Sequence, residues 1–510
     1  MMGGCGQACG GRLRPGRASI RPPARRRPLL PLLAAAALAL SAGCGRGRTA
    51  YNVPSTPRPP AFSETPPDSF RESSEWKHAQ PGDSWQRGRW WEIFQDADLN
   101  LLEEKVDASN QTLKSADARF RQARAFVREQ RSAQFPGIDA GAAATGNHVS
   151  MNKPFTHFSP GTNTSGDFAL PVDVSYEADV WGRVRNLVAS AAGSAQATAA
   201  DMESVRLSLH AELALDYFDL RTADEEKRII DTSVEAYEKA LDLTRRRFDG
   251  GLANRLEVSQ AETQLEAARA QAIDVTEKRA QYEHAIAVLA GEPPETFSLP
   301  PRVYKPELPV IPVGLPSALL QRRPDIAAAE RRVAAANSRV GFATAAFYPQ
   351  FLLSANGGLE AGKIVNWLSW PSRLWAIGPS VVQPLFDAGR RRAQAEEATA
   401  GYDATVADYR QEVLSAFEQV EDALASLRIL ENEASRQQLA VEAAARTEAL
   451  AMNRYKGGLV TYLDVVVAQS TALQNERIAI QLLRRRLEAS VLLIKALGGG
   501  WDAKTLPSSF

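Results

Sequence analysis

Residues 246–259 read RRFDGGLANRLEVS, and residues 453–466 read NRYKGGLVTYLDVV. At an offset of 207, Arg247 falls on Arg454, Gly250-Gly251-Leu252 on Gly457-Gly458-Leu459, and Leu256 and Val258 on Leu463 and Val465. Each double glycine interrupts a long run of helix formers. No proline occurs between Pro171 and Pro293 or between Pro384 and Pro507, and both stretches are rich in Ala, Leu, Glu, Gln and Arg. A helix over residues 182–248 is about 100 Å long at 1.5 Å per residue, a rod for which a compact domain has no use. Val413, Phe417, Val420, Leu424 and Leu427 step by 4, 3, 4, 3, a coiled-coil seam. Glycine supplies the positive φ that ends a helix without a Cβ clash, so Gly250, Gly251, Gly457 and Gly458 read as the turns of two helical hairpins.

The duplication reaches beyond the hairpins. Gly182-Arg183 falls on Gly389-Arg390 and Gly291 on Gly498 at the same offset, while Phe135-Pro136 falls on Tyr348-Pro349 at an offset of 213. Each copy reads as helix, two extended segments, long helix, Gly-Gly turn and returning helix. In the extended segments Phe168, Leu170, Val172, Val174 and Tyr176 alternate with smaller or polar residues. Trp375, Ile377, Val381 and Leu385 share one parity, and PGIDAGAAATG and PQFLLSANGGLE are weaker strands. Period-2 segments of about ten residues suit transmembrane β-strands, whose smallest closed barrel has about eight. One chain offers four, and an open edge in lipid leaves backbone groups without partners. Strands that span a membrane must therefore be pooled between chains; the alternative is an ordinary soluble hairpin in each copy.

The formal charge of zero hides a split. Residues 1–43 hold seven of the 60 basic residues and no acid, leaving a formal −7 on the remainder. No long basic stripe survives, which argues against nucleic acid. Residues 28–43, PLLPLLAAAALALSAG, follow ARRR and are too short to span a bilayer. They describe an export signal. The run ends in LSAGC, similar to a lipobox, which makes Cys44 the first mature residue and the site of a covalent lipid. The alternative is an ordinary cleaved signal with an incidental cysteine. Loss of Cys5 and Cys9 with the leader leaves one cysteine, hence no internal disulfide and no cysteine metal site. The layout is then a signal peptide at 1–43, a lipidated tether rich in Pro, Ser and Thr at 44–84, a first repeat at 85–292, a Pro-rich connector at 293–316, a second repeat at 317–498 and a tail at 499–510.

With these features in place, the chain resembles the outer membrane factor family, the TolC-like and NodT-like channels of tripartite systems. The resemblance rests on WWEIFQDADLNLLEEKV, YEADVWGRV, LPSALLQRRPDIAAAERRVAAANSRVGFATAAFYPQFLLSANGG, GPSVVQPLFDAGRRR, AFEQVEDALASL and YKGGLVTYLDVV, between about Trp85 and Gly498. It implies a mostly α fold with a membrane β-barrel. Two internal repeats give long α-helical hairpins forming a periplasmic tube, and four strands per chain in a trimer give a shared twelve-stranded barrel. It implies a homotrimer in the outer membrane, extending into the periplasm, with a periplasmic adaptor (membrane fusion protein) and an inner-membrane pump as partners. The function implied is a passive exit duct for small toxic molecules such as drugs, with no enzymatic activity and no cofactor beyond the lipid on Cys44. Secretion of protein through the same fold is one alternative, and a non-spanning periplasmic coiled-coil adaptor lipoprotein is another. The family's periplasmic gate maps onto Tyr455, Asp464 and Glu257. An arginine of the family's turn is replaced here by Val460 and a second aspartate by Val467, which nominates Arg255 as the substitute cation.

Other residues have plainer readings. Asp325 in RRPDI reads as a helix N-cap. His210 aligns with Phe417 and reads as packed, while His148 and His157 fall in the first outer loop. His78 and His284 have no helical partner at metal spacing. No phosphate loop, nucleophile elbow or paired Cys/His set appears. Trp367, Trp370 and Trp375 read either as interfacial anchors or as packing for the second outer loop. Five methionines argue against a methionine-lined copper route.

Overall fold

The computed structural model describes residues 51–56, 59–67, 88–148, 150, 164–306, 308–311 and 321–507. The leader, Cys44, His78 and His157 lie outside the described residues. The helices are α1 (Ala97–Ser109), α2 (Gln111–Ser132), α3 (Arg183–Asp249), α4 (Arg255–Leu289), α5 (Pro324–Ala345), α6 (Arg390–Lys456) and α7 (Tyr462–Ala496). The strands are β1 (Gly137–Ala140), β2 (Ala143–His148), β3 (Thr164–Ala178), β4 (Gln350–Ala361) and β5 (Arg373–Val382).

The two copies match residue for residue in their hairpins. α3 and α6 each have 67 residues, and α4 and α7 each have 35. Gly251 and Gly458 stand at φ +74° and +72°, the left-handed region the turns require. The expected seam is buried at Val413, Val420, Leu424 and Leu427, while Phe417 is half-buried. α3 packs on α2 and α5 along one part of its length and on α4 and α7 along the other, while α6 packs on α5 and α7.

The apolar core sits part-way along the rods. There a 3-10 turn, Trp90–Phe94, sinks Trp90, Trp91 and Phe94 against Leu213, Phe218 and Leu493. The Pro-rich connector joins this core through Tyr304 and Ile311. Residues 51–56 and 59–67 carry no helix or strand and are docked on α5 and α6. The Tyr51 hydroxyl donates to Glu330 Oε1 at 2.5 Å, and the Ser63 and Glu64 amides donate to the two Glu421 oxygens at 2.7 and 2.8 Å.

Three details differ from the sequence reading. The first helix breaks at Asn110, whose Oδ1 accepts from Leu113 N at 3.0 Å and starts α2, while its Nδ2 donates to Leu289 O at 2.9 Å. Asp325 is not the N-cap. Pro324 takes the first helical position, which puts Arg323 at the cap, and the Asp325 carboxylate pairs with Arg323 at 2.5 Å. β5 ends at Val382, so Leu385 lies outside the strand, because Pro384 has no N–H for the ladder.

The sheet is antiparallel throughout, in the order β1-β3-β4-β5, with β2 also on β3. β1 and β2 are one strand interrupted opposite Pro171. Gly141 N donates to Pro171 O at 2.9 Å, but Pro171 has no N–H to return. Among the described residues the result is four strands with β1/β2 and β5 at free edges.

Candidate functional site

The register sorts the sheet's residues into two unlike faces. One carries Ile138, Val172, Val174, Leu353, Trp375 and Ile377, aligned across the strands. It is open: Ile138, Trp375 and Ile377 are 70%, 76% and 69% exposed. The opposite face carries Asp139, Asp173, Glu177, Ser354, Asn356 and Glu360. Twelve residues of β4 rise about 40 Å, which at a tilt of about 40° spans roughly 30 Å, the thickness of a hydrocarbon core. Aromatic rings mark both ends. Trp181 stacks on Tyr348 at 4.8 Å and donates to Pro349 O at 2.9 Å on the helix side. At the far end Trp367 packs against Phe168, and Trp370, 76% exposed, lies under the Arg373 guanidinium. Trp367 thus packs the outer loop, whereas Trp370 and Trp375 project from the surface. Among the described residues no helix is long and apolar enough to cross a membrane.

At the other end of the rods the two hairpin tips interlock. Tyr455, the second residue before Gly457, is buried within the first hairpin. Its hydroxyl donates to Glu257 Oε2 at 3.0 Å and reaches Thr244 Oγ1 at 3.4 Å. The Arg247 guanidinium lies over its ring at 4.5 Å and donates to Tyr455 O at 2.6 Å, closing the C-terminus of α6. Burial, with the hydrogen bond to Glu257, raises the Tyr455 phenol above its ordinary pKa. Tyr462 packs edge-on against Tyr455, ring centroids 5.3 Å apart. Asp464 accepts from Thr461 N at 3.1 Å and Thr461 Oγ1 at 2.9 Å, the capping box that opens α7.

A sheet with one lipid-compatible face, set on hairpins that end in a clasp, matches a known design. The family described as "Outer membrane efflux protein" matches residues 102–292 and 315–499. The chain belongs to this family. It is 30% identical to the toluene efflux pump outer membrane protein TtgC of Pseudomonas putida over 457 residues, 89% of this chain and 92% of that one. It is 31% identical to the pyoverdine export outer membrane protein OpmQ of Pseudomonas aeruginosa over 439 residues, covering 84% and 91%. Among solved structures, the outer-membrane channel OprN superposes with a TM-score of 0.79 at 30% identity, covering 89% of this chain and 99% of that one. The outer membrane protein VceC of Vibrio cholerae superposes with a TM-score of 0.76 at 30% identity, covering 82% and 100%. As a member of the outer membrane efflux proteins, the chain is an outer membrane exit duct of efflux systems that extends into the periplasm. The reading as a non-spanning adaptor is thereby set aside.

In this efflux protein the residues nominated from sequence are only partly brought together. Tyr455 and Glu257 bond directly. Asp464 stays on its own hairpin, and Arg255 is exposed on the first turn of α4. The cation on Tyr455 is Arg247 instead. Sequence reasoning noticed Arg247 only as the counterpart of Arg454 and did not single out Thr244 or Tyr462. The repeat held a usable signal: Tyr455 and Tyr462 replace Phe248 and Arg255 of the first copy, a sign that the two tips do different jobs.

Proposed function

We propose that three chains pool their sheets into one twelve-stranded barrel and their hairpins into one tube, which a periplasmic adaptor couples to an inner-membrane pump. The observation that carries this reading is the four-stranded sheet with an open apolar face and two unpaired edges. In a bilayer such edges must be closed by other strands, and three copies end the need for an edge. Relatives are named for toluene and for pyoverdine. One family thus serves such different cargo, and small toxic molecules, chosen upstream, are the expected class here. Purified protein should run as a trimer that migrates anomalously until heated, and should form channels in planar bilayers. A protein that stays monomeric and soluble without detergent overturns the assembly.

The interlocked tips act as the periplasmic gate in its closed state. Tyr455 holds the second hairpin to the first through Glu257 and Arg247, and adaptor binding favours the splayed arrangement. Tyr455→Phe with Glu257→Ala should raise single-channel conductance, whereas Arg255→Ala should leave it near the wild-type value. The reverse pattern would move the clasp to Arg255. A lipid on Cys44 is a second anchor. Cys44→Ala should abolish incorporation of labelled palmitate while the barrel alone keeps the protein in the membrane.

A further inference from the structure

Tyr462 and Tyr455 share one apolar cluster but stand in opposite situations. Tyr455 spends its hydroxyl on Glu257 and Thr244. Tyr462 is 0% exposed, and its hydroxyl is buried with no hydrogen-bond partner among the described residues. Tyr462 belongs to the apolar cluster that holds Tyr237, Leu241, Leu265 and Val465, and its ring packs edge-on against Tyr455. The single chain already encloses the side chain completely. No neighbouring subunit can reach the hydroxyl while the tips are interlocked. The capping box between Thr461 and Asp464 fixes the start of α7, where Tyr462 is the first residue, and the side chain is fully enclosed, so it leaves only with its hairpin. The hydroxyl is released only if the hairpin moves.

We propose that Tyr462 is a built-in counterweight to the Tyr455 clasp, its unbonded hydroxyl weakening the closed tip and gaining hydration when the second hairpin leaves the first. A phenylalanine would fill the same space without this penalty. The buried, unpaired hydroxyl shifts the closed-to-open equilibrium towards open by roughly tenfold. The two tyrosines thus set the gate between them: one bonds the hairpins together, and the other limits how firmly they stay together. This rests on the reading of the tips as a closed gate.

The test is single-channel recording in planar bilayers with the full-length wild type, Tyr455→Phe, Tyr462→Phe and the double variant, each first shown to be a heat-modifiable trimer. Tyr455→Phe is expected to raise open probability. Tyr462→Phe is expected to lower it by about tenfold and, in the double variant, to cancel a similar factor of the Tyr455→Phe gain. Amide hydrogen exchange across residues 456–464 should slow in Tyr462→Phe. If Tyr455→Phe opens the channel and Tyr462→Phe opens it too or changes nothing, the counterweight is overturned and the gate stands. If neither variant alters gating or exchange, the gate reading falls and this inference falls with it.

Discussion

His210 shows what one residue can hide. Its counterpart in the second copy is Phe417, and the repeat alone assigns it to an apolar seam. It is indeed buried and stacked on Trp91 at 4.4 Å. Yet both ring nitrogens face carboxylates, Nδ1 with Glu103 at 2.6 Å and Nε2 with Asp107 at 3.3 Å. Burial alone would lower the imidazole pKa, but the bonds to Asp107 and Glu103 outweigh it and raise the value to about 9. A histidine raised from about 6.5 stabilises the fold fully below pH 6.5 and loses that contribution as pH climbs through 9. The melting temperature of the wild type should therefore fall across that window, and flattening the dependence needs Glu103→Leu as well as His210→Phe, because without His210 the buried Glu103 carboxyl is pushed up further. His210→Phe alone leaves Glu103 buried without its partner and should cost about 3 kcal/mol. Adding Glu103→Leu should recover most of it in thermal or denaturant melts. The carboxylates were not legible beside His210 because they lie on α1, more than 100 residues away.

Among the elements, the sheet depends on close backbone approach. Gly358 lies opposite Pro171, and a Cβ placed on it would sit 2.2 Å from Leu170 O. No side-chain rotation relieves a clash with backbone, so β3 and β4 must separate. Gly358→Val is expected to prevent barrel closure and to abolish the heat-modifiable band on gels. An unchanged trimer would show that the strands can slide apart without loss. The strand alternation was legible in β3 and β5, where apolar residues fall on one parity. It was weak in β1/β2 and β4, which are rich in Gly, Ala, Ser and Asn, so only pairing establishes them. The helical hairpins were legible almost to the residue, since proline-free runs ended by paired glycines leave one outcome. The break at Asn110 was not, because an asparagine within a helix-forming run becomes a cap only when Leu289 is there to accept its amide.

For the whole molecule, the two sheet faces decide what the barrel does. Asp139 lies directly opposite Asp173, with Asn356 beside it, on the face away from the apolar one. Like charges placed opposite each other destabilise a sheet, so their removal should not weaken assembly. In a pooled barrel this face lines the lumen, and its carboxylates attract cations and repel anions. Asp139→Asn with Asp173→Asn should lower the cation-to-anion permeability ratio by about twofold, read from reversal potentials, with a smaller change at high salt. Selectivity that is unmoved by both substitutions would locate the filter elsewhere, with Asp464 at the tip the next position to vary.

By itself the sequence determined the duplication, the two rods and their turns, the period-2 strands and the need to share a barrel once those strands are placed in a membrane. These are properties of local spacing, set by helix and strand periodicity and by where glycine and proline stand. Only the tertiary structure decided which cation meets Tyr455, that Tyr462 is enclosed with its hydroxyl unpaired, and that His210 lies between two acids. Those are contacts between segments up to about 200 residues apart. The two copies are alike in spacing but not in side chains, and what each tip residue touches depends on how the second hairpin inserts into the first. No periodicity encodes that insertion, because it follows from the shape of two packed surfaces.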